Sequence, residues 1–162
     1  MAGDSDRALT CFQSGLDLAI KAGHRAAEAF AWEGFGEVRR DQRQLVEAMA
    51  CFERCLTLWR ELGRDRHVAI ALHDLGLVHG ELGQDEASAK RLREALALFR
   101  TLGDRLSEAD AEHSLGELAL RQGRADEAAG HLRQALRLWR ELDLPYRESQ
   151  TRHLLDQAER AI

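Results

Sequence analysis

Proline is nearly absent from this chain of 162 residues, with Pro145 the single example. A chain without proline has few positions that would interrupt a helix. Aromatic residues make up only 6% of the sequence, and β-branched residues, which favour strands, are scarce. These shortages argue against a β-sheet protein and favour a helical one.

Long apolar runs and blocks of like charge are also missing. No stretch approaches the roughly 18 apolar residues that span a bilayer, and the net charge of −5 is spread without a run of five like charges. The first 20 residues, with Asp4, Asp6 and Arg7 ahead of a helical pattern, lack the layout of a signal peptide. We therefore expect a cytoplasmic protein that binds neither membranes nor nucleic acid directly. Lysine occurs only twice beside many arginines, a bias that indicates a GC-rich, bacterial genome.

Cysteine is present three times, as Cys11, Cys51 and Cys55. An odd number with no paired framework is typical of a reducing compartment. Cys55 occupies a position that holds alanine in the equivalent segments, so we expect it in the core rather than in a redox or metal pair. Apolar residues, at 44%, suffice for a continuous core.

Glycine, by contrast, recurs at a constant interval. Gly63, Gly83, Gly103 and Gly123 are evenly spaced along the chain, and Gly23 lies two intervals before Gly63. At twice that interval the surrounding positions also agree, as the following sets show: Gly36, Gly76 and Gly116; Leu56, Leu96 and Leu136; Trp59, Phe99 and Trp139. Such self-similarity indicates a repeat array, in which stacked units share one core.

Apolar residues between the glycines follow helical spacing. Phe52, Leu56 and Trp59 illustrate the i, i+4, i+7 stripe of an amphipathic helix. Each segment ends near a glycine that can form a left-handed cap, and acidic residues often begin the next one. The sequence therefore predicts eight helices, at 4–21, 25–41, 44–61, 65–82, 84–101, 105–122, 124–141 and 145–161.

The pattern of small and large residues resembles tetratricopeptide repeats. One repeat contains Leu72, Leu75, Gly76, Gly83, Ser88, Leu92 and Ala95, and the next contains Leu115, Gly116, Gly123, Ala128, Leu132 and Ala135. An earlier repeat reads Trp32, Phe35, Gly36, Ala48, Phe52 and Cys55, with Arg43 in place of the turn glycine. The 40-residue period is similar to that of large bacterial transcriptional regulators, Rap-type regulators and the LGN/Pins adaptor.

This resemblance implies an all-α fold, a right-handed α-solenoid of antiparallel helix pairs. We expect one array over residues 1–162, with a half-repeat at 4–21, full repeats at 25–61, 65–101 and 105–141, and a terminal helix at 145–161. Because the array begins in the middle of a repeat, with Leu9 and Phe12 near an open end, we expect a segment of a larger protein. The alternative is that the lone first helix serves as a cap.

The resemblance also implies that the concave face binds a protein or peptide, as part of a bacterial regulator. The expected site lies on the first helix of each repeat and consists of Phe30, Glu33, Glu37, Arg40, Ile70, His73, Leu77, Glu81, Asp110, His113, Glu117, Arg121, His153 and Gln157. Its carboxylates predict a peptide with an apolar anchor and basic flanks. No cofactor, metal or catalytic residue is implied.

Two features of this surface admit a second interpretation. His73, His113 and His153 recur with the period of the repeat, and they either bind the ligand, gaining charge near pH 6.5, or are solvated residues inherited by duplication. Ile70 and Leu77 either form an apolar stripe in the groove or are buried between first helices. A metal site is disfavoured, because neighbouring helices lie too far apart for ligands to share one ion.

Other functions remain open at this stage. The segment could be a structural spacer or a self-association module that pairs through its terminal helices. Rap-type regulators act on phosphorylated partners, but they need a further helical bundle that this chain lacks, so an enzyme is the weakest interpretation.

Overall fold

The computed structural model describes the backbone of residues 2–162 and the side chains of residues 7–162. All regular secondary structure in this part of the chain is helical, which confirms the predicted all-α solenoid. Every helix boundary lies within two residues of its predicted position. The helices are α1 (Ala2–Ala22), α2 (Arg25–Asp41), α3 (Leu45–Glu61), α4 (Asp65–Glu81), α5 (Asp85–Leu102), α6 (Arg105–Arg121), α7 (Ala125–Glu141) and α8 (Pro145–Ala161).

A left-handed residue ends each helix from α1 to α7, and these residues are evenly spaced along the chain. Five of these positions are glycine, while Arg43 and Asp143 adopt φ angles of 62° and 53° at the other two. Each turn has the same backbone hydrogen bond. The N–H of the residue that follows the left-handed one donates to the carbonyl oxygen five residues earlier in the chain, as from Arg64 N to Trp59 O at 3.0 Å. This bond satisfies a carbonyl that the helix end would leave free.

Small residues allow the two helices of a repeat to approach closely. A Cβ atom added to Gly76 would lie 2.7 Å from Leu92 Cγ, and one added to Gly116 would lie 2.6 Å from Leu132 Cγ. Ser88 Oγ also donates a hydrogen bond of 2.7 Å to Gly76 O. The crossing therefore depends on the absence of a side chain at these glycines, as the spacing predicts.

The core repeats with the same period as the sequence. Phe52, Leu92 and Leu132 are at most 1% exposed, and each is buried at the equivalent position of its own repeat. Cys55 is fully buried among them, which confirms its predicted place in the core. The largest buried cluster runs from α2 to α6 without a break, and smaller clusters join α1 with α2, α6 with α7, and α6 and α7 with α8.

Leu9 and Phe12, which the sequence places near an open end of α1, are partly buried. Leu16 is only 5% exposed, and it packs with Phe12 against Phe35 of α2. Leu18 and Ile20, also on α1, are exposed, at 67% and 56%. The ring of Phe12 lies against Gly34 of α2.

The first helices of successive repeats form a continuous row. Besides packing against its neighbours in the chain, α4 contacts α6, and α6 contacts α8. Helices that approach one another in this way lie on the inner side of a curved array. No helix among the described residues combines the length and apolarity needed to cross a bilayer.

Candidate functional site

All the predicted site residues lie on the first helices α2, α4, α6 and α8, and the surface along these four helices is called the groove below. Their side chains differ in environment. Ile70, His73 and Leu77 of α4 are partly buried. Half of the predicted set is exposed, namely Phe30, Glu37, Glu81, Glu117, Arg121, His153 and Gln157. Exposed members of the set therefore occur on all four helices.

Carboxylates dominate the end between α2 and α4. Glu33 and Glu37 lie one turn apart on α2, and Asp74 approaches from α4. The nearby cation is Arg40, whose Nη1 lies 3.9 Å from Asp74 Oδ1 and whose Nε lies 4.0 Å from Glu81 Oε1. Both separations exceed hydrogen-bond distance. One loosely placed guanidinium thus faces several acids.

This crowding perturbs the protonation of the acids. Burial, opposed by Arg40 and reinforced by the charges of Glu33 and Glu37, raises the pKa of Asp74 from 3.8 to about 7. Burial and the charge of Glu37 also raise the pKa of Glu33. Desolvation disfavours the charged form of a carboxyl group, and nearby like charges add to that effect. Asp74 therefore titrates near neutral pH.

Several buried polar atoms at this end have no hydrogen-bond partner, among them Glu33 Oε2, Arg40 Nη1 and Trp59 Nε1. Trp59 is only 1% exposed. Its indole lies near enough to Glu33 to lower the pKa of that carboxyl, but it does not reach hydrogen-bond geometry. Buried polar groups are usually paired, so these atoms mark an incompletely satisfied site.

An aromatic cluster borders the carboxylates. The ring of Phe30 is 51% exposed, and it contacts Trp59 edge-to-face with ring centroids 4.8 Å apart. His67 stacks on Trp59 at 4.3 Å. Because Trp59 lies close to both Phe30 and Glu33, the aromatic and acidic surfaces are continuous.

The histidine ladder links neighbouring first helices. His73 Nε2 lies 3.2 Å from Ser114 Oγ, and His113 Nδ1 lies 2.9 Å from Thr151 Oγ1. His153 is exposed and contacts Gln157 within its own helix. His73 and His113 thus each contact the next first helix, whereas the contact of His153 lies within its own helix.

The prediction that these histidines gain charge near pH 6.5 is wrong for His73. Burial, followed by the charge of Arg40, lowers its pKa to about 4. The pKa of His113 is also lowered, chiefly by burial. A buried imidazole loses the hydration that would stabilise its charged form, so His73 is neutral at pH 5.5.

Two openings continue the groove beyond the acidic end. The first, of about 200 Å³, lies between α4 and α6 and is lined by Leu77, Glu81, Glu117 and Arg121. Arg121 Nη1 donates to Gly80 O at 3.1 Å across it. The second, of about 540 Å³, lies between α6 and α8 and includes Glu117 and His153. Glu117 borders both openings.

For Ile70 and Leu77 the sequence left open whether they lie in the groove or are buried between first helices, and the structure has features of both. Both are partly buried against the main core, and Leu77 also lines the opening between α4 and α6. Asp110 is tied to Arg147 of α8 at 3.3 Å, and Glu81 to Arg43 at 2.7 Å. The predicted residues therefore lie at the acidic end, around the two openings, or in contacts within and between repeats.

Sequence reasoning missed Asp74, Trp59, Ser114 and Thr151. Asp74 left a detectable signal, because it is a carboxylate inside an otherwise apolar stretch of α4. The other three are ordinary in the sequence, and their roles arise only from contacts between repeats. Among residues 7–162, no three carboxylate, imidazole or thiol groups converge as a metal site requires.

Comparisons with known proteins agree with this architecture. Models described as tetratricopeptide repeat match residues 27–101 and 109–142. No curated protein matches the chain in sequence.

Several solved structures share the fold. BtubC (BKLC) from P. vanneervenii superposes with a TM-score of 0.88 and 20% identity, covering 99% of this chain and 67% of that one. A putative kinesin light chain from Podosopora anserina gives 0.78 and 16%, covering 99% and 80%. The Rap conjugation gene regulator of plasmid pLS20, solved with the Phr* peptide, gives 0.75 and 16%, covering 86% of this chain but 39% of that protein. The chain belongs to the tetratricopeptide repeat family.

Proposed function

We propose that this chain is a protein- or peptide-binding module that holds its ligand in the groove of α2, α4, α6 and α8. The observation that carries the proposal is the continuity of the acidic end with two openings of about 200 and 540 Å³ along the row of first helices. An extended or helical peptide matches such an elongated surface better than a compact small molecule does.

The fold neighbours support the same function. The Rap regulator has its solved structure in complex with a peptide, and tetratricopeptide repeats are a scaffold type. We further propose that the module acts in the cytoplasm as part of a larger bacterial regulator, without catalysing a reaction. The excess of carboxylates in the groove favours a ligand with basic residues.

Selection from a random peptide library tests this proposal. Enriched peptides should bind the wild type and lose at least about tenfold in affinity when Glu37 and Glu117, both exposed in the groove, become glutamine. The matched control replaces Glu53 of α3 and Glu86 of α5, which are exposed on second helices. Equal binding by the groove variant and the control would show that the groove is not the site.

Self-association is the second candidate. The exposed Leu18 and Ile20 on α1 favour it, because a second chain that covered either of them would remove apolar surface from water. A sedimentation experiment should then show a mass that rises with concentration and that returns to the monomer in a Leu18→Glu, Ile20→Glu variant. An oligomer that survives this change, or a monomer at every concentration, contradicts the candidate.

A further inference from the structure

The acidic end of the groove has the form of a subsite for a positive charge. Phe30, Glu33 and Glu37 lie at i, i+3 and i+7 on α2, which places them on one helix face. Asp74 faces them from α4. Glu33 Oε2 is buried without a partner, and Trp59, at 1% exposure, has an unpaired Nε1 beside it. The carboxylates are therefore positioned but not neutralised.

Arg40 does not complete this site. It lies 3.9 Å from Asp74 and 4.0 Å from Glu81, and its Nη1 makes no hydrogen bond. A guanidinium that belonged to a finished ion pair would form short, often bidentate bonds with a carboxylate. Glu81 is in addition engaged by Arg43 at 2.7 Å. Arg40 is thus shared between Asp74 and Glu81, and among residues 7–162 neither Glu33 nor Glu37 forms an ion pair.

We propose that the acidic end of the groove, where Glu33 and Glu37 of α2 lie near Asp74 of α4, binds an arginine or lysine side chain of the peptide ligand. The carboxylates of Glu33, Glu37 and Asp74 surround its charge, and the exposed ring of Phe30 packs beside its aliphatic stem. This inference rests on the proposed function of the groove and names the ligand group that one part of it takes.

Protons should be exchanged when the cation binds. The charge state of Asp74 depends on the titratable and charged groups near it. These are Glu33, Glu37 and Arg40 of α2, the thiol of Cys55 on α3, and His73 and Glu81 of α4. On the α6 side, Ser114 bonds to His73, while Glu117 and Arg121 line the adjoining opening. Burial raises the pKa of Cys55 to about 12 and lowers that of His73 to about 4, so both remain neutral at pH 6 to 8.

Asp74 is the group expected to respond, because its pKa of about 7 lies inside that range. A bound cation favours the ionised carboxylate, so binding should release a proton near neutral pH. The affinity should consequently be about tenfold higher at pH 8 than at pH 6. The peptide itself does not contribute, because arginine stays charged throughout.

The test uses the full chain and two blocked tetrapeptides, one with arginine and one with its neutral analogue citrulline. The three tryptophans give separable indole N–H resonances in a nitrogen-15 spectrum, and Trp59 reports on this subsite. We expect the arginine peptide to shift the Trp59 resonance and to bind about tenfold more tightly than the citrulline peptide. Calorimetry in buffers of different ionisation enthalpy should register the released proton.

Two variants separate charge from shape. Asp74→Asn keeps the size of the side chain, and it should abolish both proton release and the pH dependence while the helical spectrum is unchanged. Glu53→Gln, on α3, should leave both intact. A lysine version of the peptide should behave like the arginine version.

Different failures have different meanings. If the arginine and citrulline peptides bind equally, or if library peptides bind the groove without basic residues, the subsite is refuted and the proposed function stands. If neither tetrapeptide nor any library peptide perturbs the groove, both proposals fail. Binding of arginine that is independent of pH and unaffected by Asp74→Asn also refutes the assignment.

Discussion

Two adjacent residues, His73 and Asp74, have pKa values that are shifted in opposite directions from their ordinary values. Burial lowers the pKa of His73 to about 4 and raises that of Asp74 to about 7. As the pH falls from 7 to 4, the protonation of Asp74 raises the stability of the fold. Over the same range the stability that the neutral ring of His73 contributes is lost, because the unfolded chain binds a proton that the folded chain resists. The two effects on stability oppose each other, so the wild type should show a smaller pH dependence than either residue alone would cause.

Replacing Asp74 with asparagine should expose this balance. The folded-state pKa of Asp74 lies above its unfolded value of 3.8, so the aspartate lowers stability increasingly as the pH rises from about 4 to 7. The Asp74→Asn variant should therefore be more stable than the wild type by up to about 4 kcal/mol at pH 8 and nearly equal to it at pH 4. Urea unfolding at both pH values measures the difference, and Glu53→Gln is the control. A constant difference at all pH values would contradict the shift.

His73 should remain neutral in the folded protein at pH 5.5. Its pKa of about 4 lies below the unfolded value of 6.5, so the stability that it contributes is present above pH 6.5 and is lost as the pH falls towards 4. Nitrogen-15 spectra of the imidazole, recorded from pH 8 to 5, should show no titration of this ring. A midpoint near 6.5 would mean that the ring is hydrated.

Helix ends are determined by backbone conformation at one position in each turn. Arg43 and Asp143 adopt the left-handed conformation that glycine occupies at the other turns. Non-glycine residues pay about 1–2 kcal/mol for it. These two turns keep the geometry because the flanking helices pack against each other and the capping hydrogen bonds from Gln44 and Leu144 are retained.

A pair of alanine substitutions separates turn glycines from helix glycines. Gly63 has a φ of 62°, and an added Cβ would meet nothing within 4 Å, so Gly63→Ala tests backbone strain without a clash. It should destabilise the fold by about 1–2 kcal/mol. Gly130, inside α7, also has open space around it, and Gly130→Ala should stabilise by about 0.5–1 kcal/mol. Thermal unfolding would contradict this account if both changes had the same sign.

The molecule shares its largest apolar core between repeats rather than confining it to one of them. Its main apolar cluster joins residues from α2 to α6, and contacts link each helix mainly to its immediate neighbours. In such an array, stability is close to a sum of repeat and interface contributions. A change in a central helix therefore weakens both of its interfaces.

Leu96 of α5 is 5% exposed within this core. Leu96→Ala should lower the free energy of unfolding by about 2–5 kcal/mol, through lost burial and a residual cavity. Leu106, 48% exposed on α6, is the matched control, and Leu106→Ala should cost far less. Chemical denaturation followed by circular dichroism measures both, and equal losses would indicate that the central core is not shared as described.

The sequence by itself determined the helices, the turns, the period and the core. These follow from interactions between residues close together in the chain, namely backbone preferences at glycine and the apolar stripe along each helix. Repetition then places equivalent residues, such as Phe52, Leu92 and Leu132, in equivalent packing. Even the turn at Arg43 was recognisable, because its position in the repeat is unambiguous.

Only the tertiary structure decided which groove side chains are buried and charged. Glu33 and Asp74 come from different repeats, and the pKa of Asp74 depends on the charges of Glu33 and Arg40. His73 was expected to titrate freely, but its contact with Ser114 and its burial between α4 and α6 keep it neutral. Desolvation and Coulomb interaction depend on distances through space, and no local pattern along the chain encodes those distances.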